Sequence, residues 1–204
     1  MLNLGVLASG EGTTLQAVLD ACRDGRLGAR VGVVVSNNSG SGALRRAEAA
    51  GVPHRHLSSK TEASEAALDE AITAALRSAG VEVVLLAGYM KKLGAQTLRA
   101  FAGRILNTHP ALLPKFGGHG MYGERVHRAV LAAGERESGA TVHLVTDEYD
   151  TGPVVRQCRV TVEPDDTFET LARRVQAAER ELIVEVLADL AAGRPLPHVA
   201  LAAR

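Results

Sequence analysis

An asparagine and a histidine lie two residues apart at the end of an apolar run, in the segment Asn107-Thr108-His109-Pro110. In an extended segment, residues i and i+2 project to the same side, so the amide of Asn107 and the imidazole of His109 can point at one small reacting group. Both groups can donate hydrogen bonds to an oxygen that gains negative charge in a tetrahedral intermediate. The pattern therefore indicates acyl-type transfer. The plainer alternative is that Asn107 caps a turn and His109 packs beneath a loop.

A second candidate site follows the first apolar run, where Ser9-Gly10-Glu11-Gly12-Thr13-Thr14 combines glycines with hydroxyl groups. Backbone N–H groups at a helix N-terminus, aided by the helix dipole, bind anions such as phosphate. The segment is not a P-loop, because no Gly-Lys-Ser/Thr follows it, and it lacks the third glycine of a dinucleotide fingerprint. The second apolar run ends in Ser36-Asn37-Asn38 rather than in an acidic residue that would bind an adenosine ribose. We therefore expect a phosphomonoester site, with a plain tight turn as the alternative.

Composition excludes several classes of function. The chain has 204 residues, enough for one domain with a sizeable core, and 46% of them are apolar whereas only 3% are aromatic. Its 23 basic and 23 acidic residues balance, so no overall field attracts a nucleic acid or an anionic membrane. With no tryptophan, a base-stacking platform is not expected either.

Cysteine usage and the terminal segment indicate the compartment. Cys22 and Cys158 are isolated and belong to no CxxC pair, as expected for reduced structural thiols in a cytoplasmic protein without a metal site. The N-terminus has no basic region typical of a signal peptide, and no apolar run approaches the ~18 residues of a membrane span. We therefore expect small-molecule substrates, and neither nucleic acid nor membrane as a partner.

The elements that position these residues follow a regular order. Short apolar runs alternate with helical patterns, which predicts βαβ units and an α/β fold with a mostly parallel sheet. The predicted strands are 2–9, 31–36 and 81–87, and the predicted helices are 15–21, 43–50, 62–77 and 95–101. Leu15, Val18, Leu19 and Cys22 form one stripe of the first helix.

The pattern changes after Asn107. Residues 141–145 and 153–162 are two extended runs, predicted to be added strands with one antiparallel pair, and residues 168–192 form a last helix. The glycine-rich segment 116–123 is the expected mobile loop. No interdomain linker stands out.

Four motifs together resemble those of phosphoribosylglycinamide formyltransferase, the folate-dependent transformylase family of purine biosynthesis. They are Val6 to Ala17, Leu86 to Leu93, Asn107 to Pro110 and Thr146 to Pro153, and they occur in the family's order over nearly the whole chain. The resemblance implies a Rossmann-like three-layer fold with helices on both faces and an antiparallel C-terminal part. It implies a single domain, 1–204, with residues up to about 106 binding phosphate and residues from about 107 binding folate and carrying out catalysis.

The resemblance also implies an activity: direct transfer of a formyl group from 10-formyltetrahydrofolate, without a metal, to the amine of phosphoribosylglycinamide. Asn107, His109 and Asp150 match the family's catalytic residues. By that resemblance Asn107 and His109 stabilise the oxyanion, His109 protonates the leaving nitrogen, and Asp150 holds the imidazole charged. A carboxylate beside a histidine raises its pKa, which suits a general acid near neutral pH.

Binding residues carry over position by position. Those that match the phosphoribosylglycinamide site are Gly12, Thr13, Thr14, Gln176 and Glu179. Those that match the folate site are Met90, Lys91, Lys92, Leu93, Asn107, Thr146, Asp147, Glu148, Tyr149 and Asp150. His143, within a strand, is interpreted as structural, and His54, His56, His119 and His127 are weaker candidates, although His119 lies in a loop that could cover the site.

The chain departs from the family in several places. Thr14 stands where an asparagine is frequent, and the region around Ser64 lacks an arginine that some members use near the folate. The 118–123 loop is longer than in some relatives, and Leu113-Pro114 is a candidate cis peptide.

Three other functions compete. 10-Formyltetrahydrofolate hydrolase has an extra N-terminal domain, whereas the first predicted strand begins at Leu2. Methionyl-tRNA formyltransferase has an extra C-terminal domain and a basic RNA surface, neither of which we expect in a charge-balanced chain that ends at Arg204. A folate- or nucleotide-binding module without catalysis is the third alternative.

Overall fold

One seven-stranded sheet forms the centre of the molecule in the computed structural model, which describes residues 1–201. The last three positions of the predicted domain, 202–204, lie outside the described residues. The strands are β1 (Leu2–Leu7), β2 (Ala29–Ser36), β3 (His54–His56), β4 (Val83–Leu86), β5 (Ile105–His109), β6 (Glu137–Leu144) and β7 (Val154–Thr161). The helices are α1 (Thr13–Arg23), α2 (Gly42–Ala49), α3 (Glu65–Ser78), α4 (Ala95–Ala100), α5 (Glu124–Ala132) and α6 (Phe168–Ala191).

The strand order is β3-β2-β1-β4-β5-β6-β7. The first five of these strands pair in parallel, and β6 and β7 extend the sheet with antiparallel pairing. The prediction of an α/β fold with a mostly parallel sheet and an antiparallel C-terminal part is confirmed.

Apolar side chains alternate between the two faces of the sheet. In β4, Val83 and Leu85 belong to the core cluster that includes α1 and α6, whereas Val84 and Leu86 belong to the cluster that includes α3. Because both faces are covered, the central strands are continuous apolar runs rather than alternating apolar and polar ones. The predicted three-layer architecture follows from this burial.

Several elements differ from the sequence-based expectation, among them β3, α5 and α3. Strand β3 is a polar edge strand of three residues that pairs only with the end of β2, so it has no apolar pattern that could have predicted it. Helix α5, which begins directly after the glycine-rich loop, was not predicted. Helix α3 begins at Glu65 rather than at residue 62, because the hydroxyl of Ser64 accepts a hydrogen bond from the Ala67 N–H and caps the helix.

Candidate active site

The predicted site residues meet at the carboxyl ends of β1, β4 and β5. The strand order reverses between β1 and β4, and in open α/β sheets ligands bind in the crevice at this switch point. Here the loops after these strands line a cavity of about 870 Å³, within the usual range for small-molecule sites. Asn107, His109 and Asp150 all line it, although Asp150 is distant from the other two in sequence.

Asn107 is held by His143, which lies directly opposite it in the β5–β6 pairing. The Nδ1 of His143 lies 2.9 Å from the Leu144 carbonyl oxygen, so Nδ1 carries the proton and donates it. In the neutral imidazole, Nε2 is then an acceptor, and it lies 3.0 Å from Nδ2 of Asn107. This arrangement fixes the orientation of the amide and leaves the second N–H of Asn107 for another acceptor.

His109 contacts an acceptor at each ring nitrogen. Its Nε2–H donates to the carbonyl oxygen of Phe116 at 2.7 Å, and its Nδ1 lies 3.4 Å from Oδ2 of Asp150. Asp150 also accepts from the Gly118 N–H at 3.0 Å, and its Oδ1 lies 3.5 Å from Nε2 of His143. The glycine-rich loop therefore holds both members of the His109–Asp150 pair, and His109 must release the Phe116 carbonyl before its Nε2–H can reach another acceptor.

Burial reverses the expected shift of the His109 pKa. His109 is only 3% exposed, and its pKa is lowered because desolvation outweighs the favourable charge of Asp150 and the hydrogen bond to Phe116. Asp150 raises the pKa of His109 as expected, but burial outweighs this effect, so the prediction that Asp150 holds the imidazole charged is wrong. The pKa of Asp150 is lowered although burial acts to raise it, because the Gly118 N–H donates to the carboxylate and the His109 imidazole lies beside it. Asp150 is accordingly an anion beside a largely neutral imidazole near pH 7.

The glycine turn lies on the same cavity. Gly12 is the N-cap of α1, with a φ of 71° in the left-handed region, and Gly12, Thr13 and Thr14 all line the cavity. A Cβ at Gly12 would lie 2.7 Å from Cα of Ala43, so only glycine brings α1 this close to α2.

The last helix closes the same region. Thr14 and Thr108 donate to Oε1 of Glu179 at 3.4 and 2.9 Å, and the pKa of Glu179 is raised, chiefly by burial. Gln176, one turn earlier on α6, also lines the cavity. The structure thus brings together all five residues predicted for phosphoribosylglycinamide.

The two segments predicted for folate meet at a smaller cavity of about 70 Å³. Among the residues that line it are Lys91, Lys92, Leu93, Asn107, Thr146, Asp147, Glu148, Tyr149 and Asp150. Met90 lines the larger cavity instead and is half exposed. Asn107, Tyr149 and Asp150 line both cavities, so two of the predicted catalytic residues stand where the cavities meet, and His109 lines the larger cavity beside Asp150.

Sequence reasoning undervalued three histidines. His143 contacts Asn107 and Asp150, and the β5–β6 register could have identified it had the pairing been known. His119 lines the larger cavity, and its ring centroid lies 5.9 Å from that of Tyr149. His127 also lines this cavity and is 2% exposed, a polar residue on the apolar face of α5. His54 and His56 lie on the edge strand β3 and line neither cavity.

Other expectations concern the backbone and bound groups. The peptide bond between Leu113 and Pro114 is cis, as the resemblance implied. Among residues 1–201, no cluster of three His, Cys, Asp or Glu side chains could hold a metal ion. Within the same range, no helix combines the length and the apolarity that crossing a membrane requires.

We expect the protein to lose stability as the pH falls below about 6.5. Burial lowers the pKa of both His109 and His127, so below this pH the unfolded chain binds protons that the folded protein does not. Each such histidine lowers the unfolding free energy by at most about 1.4 kcal/mol per pH unit. Urea titrations at pH 7.5 and 5.5 measure the change, and His127→Gln should make the pH dependence shallower. An equal pH dependence in that variant would contradict the assignment to His127.

Comparison with known proteins agrees with this geometry. A family model described as formyl transferase matches residues 2–187. The phosphoribosylglycinamide formyltransferase of Haemophilus influenzae is 37% identical over 95% of this chain and 89% of that protein. The chloroplastic phosphoribosylglycinamide formyltransferase of Arabidopsis thaliana is 43% identical over 90% of this chain, which spans 63% of that relative's length. The crystal structure of glycinamide ribonucleotide transformylase 1 from Symbiobacterium toebii matches with a TM-score of 0.88 and 43% identity, covering 95% of this chain and 89% of the other.

Proposed function

Because the chain belongs to the phosphoribosylglycinamide formyltransferase family of formyl transferases, we infer that it transfers the formyl group of 10-formyltetrahydrofolate to the amine of N1-(5-phospho-D-ribosyl)glycinamide. The products are formylglycinamide ribonucleotide and tetrahydrofolate, in the de novo synthesis of IMP. The donor is a co-substrate rather than a resident cofactor, and the reaction uses no metal. The observation that carries the proposal is that Asn107, His109 and Asp150 all line the glycine-turn cavity, and that Asn107 and Asp150 also line the smaller cavity.

The reaction needs positioning and charge stabilisation more than a protein nucleophile. The amine nitrogen attacks the formyl carbon, and the carbonyl electron pair moves to the oxygen. The free N–H of Asn107 and the imidazole of His109 donate to this oxyanion. When the intermediate collapses, the bond to N10 of the folate breaks and protonated His109 supplies the proton that N10 takes up. The amine's proton leaves through water to the Asp150 carboxylate, which returns it to His109.

The lowered pKa of His109 does not oppose this role. As negative charge develops on the formyl oxygen, the neighbouring oxyanion favours the protonated imidazole, and Asp150 acts in the same direction. The proton affinity of His109 therefore rises when the reaction needs it.

The binding assignments form part of the same proposal. Gly12, Thr13 and Thr14 bind the phosphate, Gln176 completes that pocket, and Glu179 accepts from the ribose or the amine of the substrate. The segments 90–93 and 146–150 bind the pterin mainly through main-chain groups. A single domain divided into an N-terminal phosphate-binding part and a C-terminal catalytic part stays a prediction, as does the cytoplasmic location. Because Gln176 and Glu179 belong to the C-terminal part, the predicted phosphoribosylglycinamide site includes residues of both parts.

A formyl-transfer assay distinguishes the candidate functions. Purified protein is incubated with 10-formyltetrahydrofolate, with and without phosphoribosylglycinamide, and both tetrahydrofolate and the formylated product are followed. Product that requires the amine is the expected result. Release of tetrahydrofolate at the same rate without the amine would instead identify a hydrolase, and binding of both ligands without turnover would identify a non-catalytic module.

Substitution of Gly12 should weaken binding of the phosphorylated substrate selectively. In Gly12→Val, the side chain would displace the start of α1 from Ala43, so the turn amides move. We expect the KM for phosphoribosylglycinamide to rise about tenfold or more, with a much smaller change for the folate. Gly25→Val is the matched control. Gly25 also has a positive φ, of 75°, but a Cβ added there would meet no atom within 4 Å, and Gly25 lines neither cavity. Equal increases for both substrates in Gly12→Val would remove the phosphate role.

A further inference from the structure

Arg125 is the only lysine or arginine among residues 1–201 that lines the larger cavity. The same wall carries three carboxyl groups, from Glu11, Asp150 and Glu179. A phosphomonoester carries a charge of about −1.5 to −2 at pH 7. The glycine turn offers it neutral N–H and hydroxyl donors and the partial charge of a helix N-terminus. Without Arg125, the described part of the cavity would present no permanent positive charge to a dianionic ligand.

The guanidinium group of Arg125 is free to bind such a ligand. Within the described residues it has no carboxylate partner at ion-pair distance, and its recorded side-chain contact is with the ring of Tyr122, 5.0 Å from the centroid. The neighbouring arginine on the same helix differs, since Arg128 pairs with Glu124 at 3.6 Å and lies 3.5 Å from the ring centroid of Phe168. Arg125 is therefore available where Arg128 is not.

The position of Arg125 in α5 adds a second anion-attracting feature. It lies in the first turn of α5, whose N-cap, Gly123, gives no side-chain hydrogen bond to the helix. His127, in the same stretch, is buried on the cavity wall, and its Nδ1 has no hydrogen-bond partner among residues 1–201.

The phosphate is the part of the substrate that the Arg125 guanidinium fits. Both α1 and α5 pack against α6, and Gln176 of α6 lines the same cavity as the glycine turn and Arg125. Arg125 does not line the smaller cavity, where the segments predicted for folate meet. We propose that Arg125 binds the substrate phosphate from α5, while the Gly12 turn binds it from α1, and so sets the preference for a phosphorylated amine.

This inference rests on the proposed function, and the experiment separates the two. Wild-type protein, Arg125→Gln, Arg125→Lys and the control Arg128→Gln are assayed with phosphoribosylglycinamide and with the unphosphorylated glycinamide riboside. Binding of phosphoribosylglycinamide is measured in parallel by isothermal titration calorimetry without folate, so the readout does not require turnover. Absence of formyl transfer by the wild type would refute the proposed function, whereas calorimetry would still test Arg125.

We expect Arg125→Gln to raise the KM and the Kd for phosphoribosylglycinamide about 10- to 100-fold, with little change in kcat. The kcat/KM for the riboside should stay at the wild-type value, because that substrate has no phosphate to lose. Arg125→Lys should recover part of the affinity, since it keeps the charge without the bidentate geometry, and Arg128→Gln should behave as wild type.

Three outcomes would overturn the proposal. Equal losses with both amines would assign Arg125 a structural role, and an increase confined to the KM for folate would assign the guanidinium to the carboxylates of that substrate. An unchanged Kd for phosphoribosylglycinamide in Arg125→Gln would exclude any role in phosphate binding.

Discussion

Replacing His109 with alanine is expected to lower kcat for formyl transfer by about two to four orders of magnitude while the protein stays folded. The imidazole would act twice, as a donor to the oxyanion and as the acid that protonates N10. The side chain is buried between Asp150 and the Phe116 carbonyl, and the other imidazole beside Asp150, that of His143, is already bound to Asn107 and the Leu144 carbonyl.

The structural cost of the His109 substitution is small by comparison. Removing the ring leaves the Phe116 carbonyl without its hydrogen bond from His109. It also removes the free-energy cost of burying the imidazole, which is the cost that lowers its pKa. Denaturant titration therefore serves as the control for folding, and His56→Ala, on the distant edge strand β3, is the matched control for activity. Turnover within threefold of the wild type in a folded His109→Ala protein would show that another group performs the chemistry.

Asp150→Asn is the second substitution with a large expected effect. The amide keeps the shape of the side chain and can still accept from the Gly118 N–H, but it removes the negative charge beside Nδ1 of His109. Because that charge raises the pKa of His109 against its burial, its loss lowers the pKa further. We expect kcat to fall about 100-fold or more, in line with the usual size of acid–base contributions.

The pH profile separates this electrostatic role from a structural one. If protonated His109 is the acid, the rate falls as the pH rises through the pKa of the imidazole in the substrate complex. In Asp150→Asn this descending limb should shift to lower pH, since the protonated form has lost its stabilising neighbour. A reduced kcat with the limb at the same pH would mean that Asp150 only holds the glycine-rich loop through Gly118.

Local sequence patterns were sufficient to predict much of the fold and to identify the groups that react. The apolar runs that become β1, β2 and β4 are buried on both faces, a condition that leaves a direct mark on the sequence. The i, i+2 spacing of Asn107 and His109 in a strand places both on one cavity, as expected from the period of the strand. Such features depend only on residues that are near one another in the chain.

Tertiary structure decided what depends on contacts between distant segments. The register of β5 against β6 brings His143 to Asn107, and the return of the 146–153 turn brings Asp150 to His109. Arg125 could not be distinguished from other exposed arginines until α5 was placed at the cavity. The sign of the His109 pKa shift was predictable only once its burial was known, because desolvation and the Asp150 charge oppose each other and their balance depends on the surrounding packing.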